Sequence, residues 1–354
     1  MVTTITVSLV GTALLILTVL DVIATAMGAS GGVLVRHLTP LMWRIGCLPC
    51  SLGGWHRYRS RLGICIVLTT ITLWLVSFWF GWVLVFHGSP EAVVNTETEL
   101  PASTLERAYF VGFTVSTLGL GDFKAGGQLW KILTVVCSTS GFLLVTFVIT
   151  YLIPLIQAAT HQRAVAVRIS AIGESADQIV RRCYDGAGLR ALEDHLTDLS
   201  SELALLEQRH HTYPVLYYMH SIAKPESIAL SIAALDEAMT IVELGLVDRG
   251  GVGEPQLEHA RQIVTQYLHT LGARHVSAAD DAPPIPTLHE LRRQGLPVLP
   301  QRAFERGVGR IAERRRMLRG MVNADGWRWS DLRRNASRSP LVGLHGDPEA
   351  DTAE

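Results

Sequence analysis

Between two apolar stretches stands the run Thr117-Leu118-Gly119-Leu120-Gly121-Asp122, with a single charge and two glycines alternating with leucines. Apart from the terminal aspartate, its chemistry would lie in the main chain. Glycine tolerates backbone angles closed to other residues, so such a run can climb with successive carbonyls turned to one side. A ring of carbonyls drawn from several chains can replace the water shell of a dehydrated monovalent cation. One chain supplies one strand, so four are needed to surround an axis.

The preceding residues are suited to position this run. Ser103-Thr104-Leu105-Glu106 has the S-x-x-E form of a capping box and predicts a short helix over 104–115. The apolar region 104–118 is too short to span a bilayer, which suggests a re-entrant dip, allowed only where protein or water surrounds its ends. The C-terminal end of the dipping helix then points into the membrane. Its negative dipole pole favours a cation there.

Three apolar runs are long enough to cross about 30 Å of hydrocarbon: 3–27, 62–86 and 129–155. The whole chain of 354 residues is 48% hydrophobic and 18% charged, with the apolar share concentrated before residue 158. Its net charge of -1 is a sum over two unlike halves, and no nucleic-acid partner is expected. The loop Gly28–Arg61 holds Arg36, Arg44, Arg57, Arg59 and Arg61 with no acid, which marks it as cytoplasmic. The loop 87–103 holds Glu91, Glu97 and Glu99 with no basic residue and should face outward, so the N-terminus lies outside and the C-terminus inside. Ala24-Thr25-Ala26 resembles a signal-cleavage site. The long apolar run without a positive leader favours a retained helix instead. Asp21, costly in lipid, is expected to pair with a loop arginine, to face a neighbouring helix, or to anchor at the interface.

With a capped helix before it and spans on both sides, Thr117-Leu118-Gly119-Leu120-Gly121-Asp122 resembles the potassium-channel signature TVGYGD. The resemblance covers 62–157: outer helix 62–86, pore helix 104–115, filter 117–122 and inner helix 129–157. It implies an all-α membrane fold and a homotetramer conducting potassium, the permeant ion, with no other cofactor expected. By position, Thr117 would supply its hydroxyl and carbonyl, and Leu118, Gly119, Leu120 and Gly121 their carbonyls, with K+ held from Thr117 to Leu120. Asp122 would brace the outer mouth and Ser116 would support the filter. Gly141 falls near the family's inner-helix hinge, although a glycine in a lipid helix also permits close packing. Below it, Leu143, Val145, Phe147, Val148, Tyr151 and Leu152 include the expected pore lining. Leu118 and Leu120 stand where valine and tyrosine are common, and the second change removes a hydroxyl that bonds pore-helix aromatics in relatives. The alternatives are therefore a weakly selective monovalent cation channel, or a membrane-anchored helical signalling protein with a vestigial pore loop. No span carries arginines at three-residue intervals, so no voltage sensor is expected.

The rest of the chain lies outside the resemblance. Residues 1–61 read as a first span and a basic loop. The inner helix is expected to continue past Arg163 towards Arg182, and 158–275 reads as a helical cytoplasmic domain. Leu189, Leu192, Leu196, Leu199, Leu203 and Leu206 repeat at alternating intervals of three and four, an a/d seam. A helix from Pro225 to Val247, a break at Arg249–Gly253 and a helix from Pro255 to Leu271 follow. Residues 276–300 read as a Pro-rich linker, and 301–354 as an Arg-rich helix and a disordered tail. The Arg302–Arg319 helix could rest on anionic inner-leaflet lipids or present a solvated face. Trp327 and Trp329 could anchor it. His210, His211 and His220, and the pair Cys47 and Cys50, have metal-site or redox alternatives to plain packing. Five scattered cysteines do not make a disulfide framework. No G-x-G-x-x-G follows a strand, and no nucleophile–base pair stands out, so no enzyme is expected.

Overall fold

A computed structural model of the protein describes residues 2–27, 32–47, 55–273 and 276–332. In chain order its helices are α1 (Val2–Met27), α2 (Val33–Cys47), α3 (Trp55–Phe86), α4 (Thr104–Val115), α5 (Gln128–Ile172), α6 (Ala176–Cys183), α7 (Arg190–Thr212), α8 (Ile228–Gly245), α9 (Glu254–Gly272), α10 (His289–Arg293), α11 (Gln301–Gly309) and α12 (Ala312–Ala324). Two three-residue strands, β1 (Val93–Asn95) and β2 (Phe123–Ala125), pair antiparallel with Val94 opposite Lys124. The protein is thus an all-α membrane protein. Three helices are long and apolar enough to cross a bilayer, over Ile5–Met27, Ser60–Phe86 and Gln128–Ile172.

The chain divides into two units: Met1–Ala164 with Glu202–Ile222, and Val165–Ser201 with Ala223–Glu354. In the first, α1 packs along α3, and Gly11 lies against the Gly81 carbonyl where they cross. Small residues at such a crossing let two backbones approach closely, which matters where lipid supplies no hydrophobic drive. The core between α3, α4 and α5 is aromatic: Phe86 meets Phe110 edge-on at 5.4 Å and Trp130 at 5.5 Å. Two boundaries differ from expectation. The basic loop contains α2, with Pro40 inside it, and α3 begins at Trp55 rather than at 62. Pro40, a residue that removes a helix hydrogen bond, disguised α2 as a loop.

In the second unit the core is α8, buried along nearly all its length and capped by the Ser227 hydroxyl, which accepts from Leu230 N. The inner helix does not run on to Arg182. α5 stops at Ile172, the chain turns at Gly173, and α6 starts three residues later. The residues of the Leu189–Leu206 seam are all buried, Leu189 just ahead of α7. The expected break around Arg249 is a tight turn in which Asp248, Arg249, Gly250 and Gly251 all have positive φ.

The Pro-rich stretch 276–300 is packed rather than a free linker. Val276, Leu288, Leu291 and Leu296 are buried, and Val247 N donates to the Pro297 carbonyl at 2.8 Å. The Arg-rich helix α12 also turns part of its charge inward. Arg314 reaches Asp236 (Nη2 to Oδ1, 2.6 Å), which Arg261 clasps at 3.2 Å from the other side. Arg315 grips Glu237 at 2.6 and 2.9 Å and gives its other donors to the Pro283 and Pro284 carbonyls. Burial pushes the Glu237 carboxyl upward and its Arg315 bonds oppose that. Arg314 and Arg315 are therefore internal ion-pair partners, while Arg302, Arg306 and Arg310 are exposed. Trp327 is buried, not a surface anchor. The tail beyond Leu332, and Cys50 of the Cys47–Cys50 pair, lie outside the described residues.

Candidate functional site

The site begins with α4. Its capping box is complete: Ser103 Oγ accepts from Glu106 N, and Glu106 Oε2 accepts from Ser103 N at 2.7 Å. Arg107, which carried no motif in the sequence, fixes the helix at its N-terminal end. Its buried guanidinium donates to the carbonyls of Ala102 (3.0 Å), Ser89 (2.9 Å), Pro90 (2.9 Å) and Phe86 (3.4 Å). One charged fork thus ties the last turn of α3 and the loop beyond it to the start of α4. The sequence signal was a lone arginine in an otherwise uncharged helix stretch after Glu106. Trp79 of α3 adds a bond to the Ala108 carbonyl at 3.1 Å.

At its C-terminal end α4 unwinds in order. Ser116 N donates to Gly112 O, Thr117 N to Thr114 O, and Leu118 N to Phe113 O at 2.8 Å. The Ser116 hydroxyl donates to Gly112 O at 2.8 Å, which gives Ser116 a part in closing the helix. Then φ alternates: Thr117 (+61°), Gly119 (+58°) and Gly121 (+88°) are positive, whereas Leu118 and Leu120 are not. Alternating handedness turns successive carbonyls towards one side of a strand, and at two of the three positions only glycine adopts the required angle freely. Among the described residues, the carbonyls of Thr117, Leu118, Gly119 and Leu120 accept no hydrogen bond. A Cβ on Gly119 or Gly121 would meet nothing within 4 Å. Leu118 and Leu120 are 68% and 57% exposed. Beside the strand lies a hollow of about 450 Å³ bordered by Thr114, Thr117, Gly119, Thr134 and Ser138.

The far end of the strand is anchored. Thr96 holds it through its hydroxyl, which donates to Gly121 O at 2.8 Å, and through its amide, which donates to Asp122 O at 2.9 Å. The Gly121 carbonyl is thereby already engaged, unlike the four before it. The β1–β2 pair closes this end, and Lys124 bridges to Glu99 at 3.1 Å. Thr96 carried no motif of its own in the sequence.

Gly141 sits where α5 passes the end of α4. A Cβ there would lie 2.3 Å from the Val115 carbonyl, so close approach alone requires the glycine. α5 is continuous through it. Of the lining candidates, Leu143, Val145 and Phe147 are exposed, whereas Val148 and Tyr151 are buried, Tyr151 with its ring edge-on to Trp74 at 5.9 Å. Among the described residues Asp21 faces a neighbouring helix rather than an arginine. Its Oδ2 accepts from Trp74 Nε1 at 2.9 Å and its Oδ1 from Leu34 N, at the start of α2, at 2.7 Å. His220 packs on Trp43 at 5.1 Å, and among the described residues no group of three or more His, Cys, Asp or Glu is placed to hold a metal.

This geometry agrees with the comparisons. The family described as "Ion channel" matches residues 69–158, from within α3 through α4 and the strand into α5. The uncharacterized membrane protein YdjJ of Bacillus subtilis (strain 168) is 32% identical over 301 residues, which cover 85% of this chain and 88% of that protein. No solved structure matches. With a relative at that identity along nearly its full length, and an ion-channel match over the segment that carries the strand, the chain belongs to the family of the Bacillus subtilis membrane protein YdjJ and contains an ion-channel domain.

Proposed function

We propose that the protein is a homotetrameric, potassium-selective channel of the cell membrane whose filter is the strand 117–121. The observation that carries this reading is the row of four carbonyls from Thr117 to Leu120 that accept no hydrogen bond among the described residues, on a strand of alternating φ at the C-terminal end of a capped helix. Unbonded carbonyls exposed on one strand are a quarter of a coordination shell, and four copies around an axis complete it. The exposed Leu118 and Leu120 and the hollow beside the strand then receive the neighbouring copy. Thr117 adds its hydroxyl at the inner end. Gly121 serves by conformation and by its bond to Thr96, and Asp122 braces the mouth where the Thr96 amide holds its carbonyl.

The acid-bearing loop 87–103 faces outward in this reading and the basic α2 faces the cytoplasm. Gating acts on α5. The contact of Gly141 with the Val115 carbonyl makes this glycine a bearing against the end of the pore helix as well as a candidate hinge. Exposed Arg302, Arg306 and Arg310 remain the segment's candidates for anionic lipid.

Reconstitution into liposomes with separate potassium and sodium flux readouts tests the proposal. Potassium flux well above sodium flux is expected, with loss of both in Gly119→Ala, whose side chain opposes φ of +58°. Equal fluxes of the two ions would replace potassium selectivity by weak monovalent-cation selectivity, because Leu120 lacks a hydroxyl to stiffen the strand. Flux unchanged in Gly119→Ala, or no flux under any condition, would overturn the assignment of the strand.

A further inference from the structure

The second unit contains a cavity of about 400 Å³, within the usual range of small-molecule sites, lined by α6, the start of the Pro-rich stretch and the Trp329–Leu332 turn. Its electrostatics are specific. Arg181 of α6 lines it half-buried, and its guanidinium has no hydrogen-bond or ion-pair partner among the described residues. The neighbouring arginines are all engaged: Arg182 with the Ala171 and Ile172 carbonyls, Arg292 with the Leu299 carbonyl, Arg293 with Glu290, and Arg315 with Glu237. An arginine left without a partner at the wall of a cavity is a donor fork set for a planar anion.

The same wall carries three carboxylates. Glu237 is consumed by its two bonds to Arg315. Asp177 accepts only the Ser175 hydroxyl, on Oδ1, and Glu290 holds Arg293 through one oxygen at 3.4 Å. The cavity therefore presents one open cationic fork beside two carboxylates with accepting capacity to spare. A polyanion such as a nucleoside triphosphate would be repelled by Asp177 and Glu290. A plain cation would be repelled by Arg181. Trp329, Pro284, Pro286 and Leu332 supply an apolar wall, and Gln178 and Thr287 supply neutral polar groups.

We infer that this cavity binds a small zwitterion of the free α-amino-acid type, its carboxylate on Arg181, its ammonium on Asp177 or Glu290, and an apolar or aromatic side chain against Trp329. The site does not depend on the channel reading, because binding is measurable without flux. If both hold, it supplies the channel with a ligand-binding regulatory unit.

The test uses the full-length protein in mild detergent and measures binding by calorimetry. The probes are the free amino acids one at a time, the N-acetyl and methyl-ester forms of any that bind, and ATP. At least one free apolar or aromatic amino acid is expected to bind, and blocking either its amine or its carboxylate should abolish that binding. Arg181→Gln should weaken binding about tenfold or more, as the loss of a charge-assisted contact requires. Trp329→Ala should weaken it as well, and Arg302→Gln, exposed and outside the cavity, should not. The Arg181 guanidinium makes no bond among the described residues, so the glutamine variant is expected to keep the parent melting temperature, and Arg181→Lys tests the charge alone if it does not. Binding by none of the amino acids, equal affinity in Arg181→Gln, or binding of ATP in their place would overturn the inference.

Discussion

The strand 117–121 and the helix α8 treat their polar groups in opposite ways. α8 buries Asp236 and Glu237 and satisfies both inside one chain, with Arg261, Arg314 and Arg315 each supplying donors. The strand, exposed along its length, leaves four successive carbonyls without hydrogen bonds among the described residues and exposes two leucines. Groups met inside the chain mark where stability resides. Groups left open are, under the proposed function, those that other copies and an ion would engage.

The contrast can be broken by substitution, since changes in α8 should cost stability and changes at the strand should cost transport. The largest effect is expected from Arg315→Leu, which strands Glu237 uncompensated in the core. A loss of about 3–5 kcal/mol is predicted, read from thermal or denaturant unfolding. Adding Glu237→Leu should restore much of it, because a matched apolar pair removes the unpaired charge. Next is Gly141→Ala, where the added methyl meets the Val115 carbonyl. It should cost about 1–3 kcal/mol and displace the end of α4, so transport falls along with stability. Retained flux with an unchanged melting temperature would show that α5 and α4 separate freely there. The smallest effect on stability belongs to Leu120→Tyr, an exposed position with an expected change within about 0.5 kcal/mol. Its signature should be a higher ratio of potassium to sodium flux, and a ratio left unchanged would show that the Thr96 bonds to Gly121 and Asp122 already stiffen the strand.

The same contrast explains what the sequence disclosed. The helix 104–115 was legible to the residue, because a capping box and a glycine-bearing run are local signals, and α4 indeed spans Thr104–Val115. The leucine seam of α7 was legible for the same reason. What escaped depended on long-range partners. Arg107 reads as an ordinary polar residue until the carbonyls of Phe86, Ser89 and Pro90 are brought to it. Arg314 and Arg315 look like a solvated or lipid-facing face until α8 supplies carboxylates 78 positions earlier in the chain. The prolines of 276–300 suggested an extended linker, yet the Pro283 and Pro284 carbonyls lie outside any helix and accept from Arg315. For Gly141, composition alone left hinge and packing open, and the contact with Val115 supplies the packing reason.

Asp21 has a consequence for how the protein is made. Its carboxylate is satisfied by Leu34 N, 13 residues on, and by the indole of Trp74, 53 residues on. At 5–20 residues per second, translation delivers the second of these partners roughly 3–10 s after the first span has emerged. Until then α1 is a membrane helix carrying a half-satisfied acid near its C-terminal end. The natural insertion unit is therefore the α1–α3 pair together with the α2 segment between them, and a ribosome stalled before Trp74 should leave the first span more readily extracted from the membrane than one stalled after it.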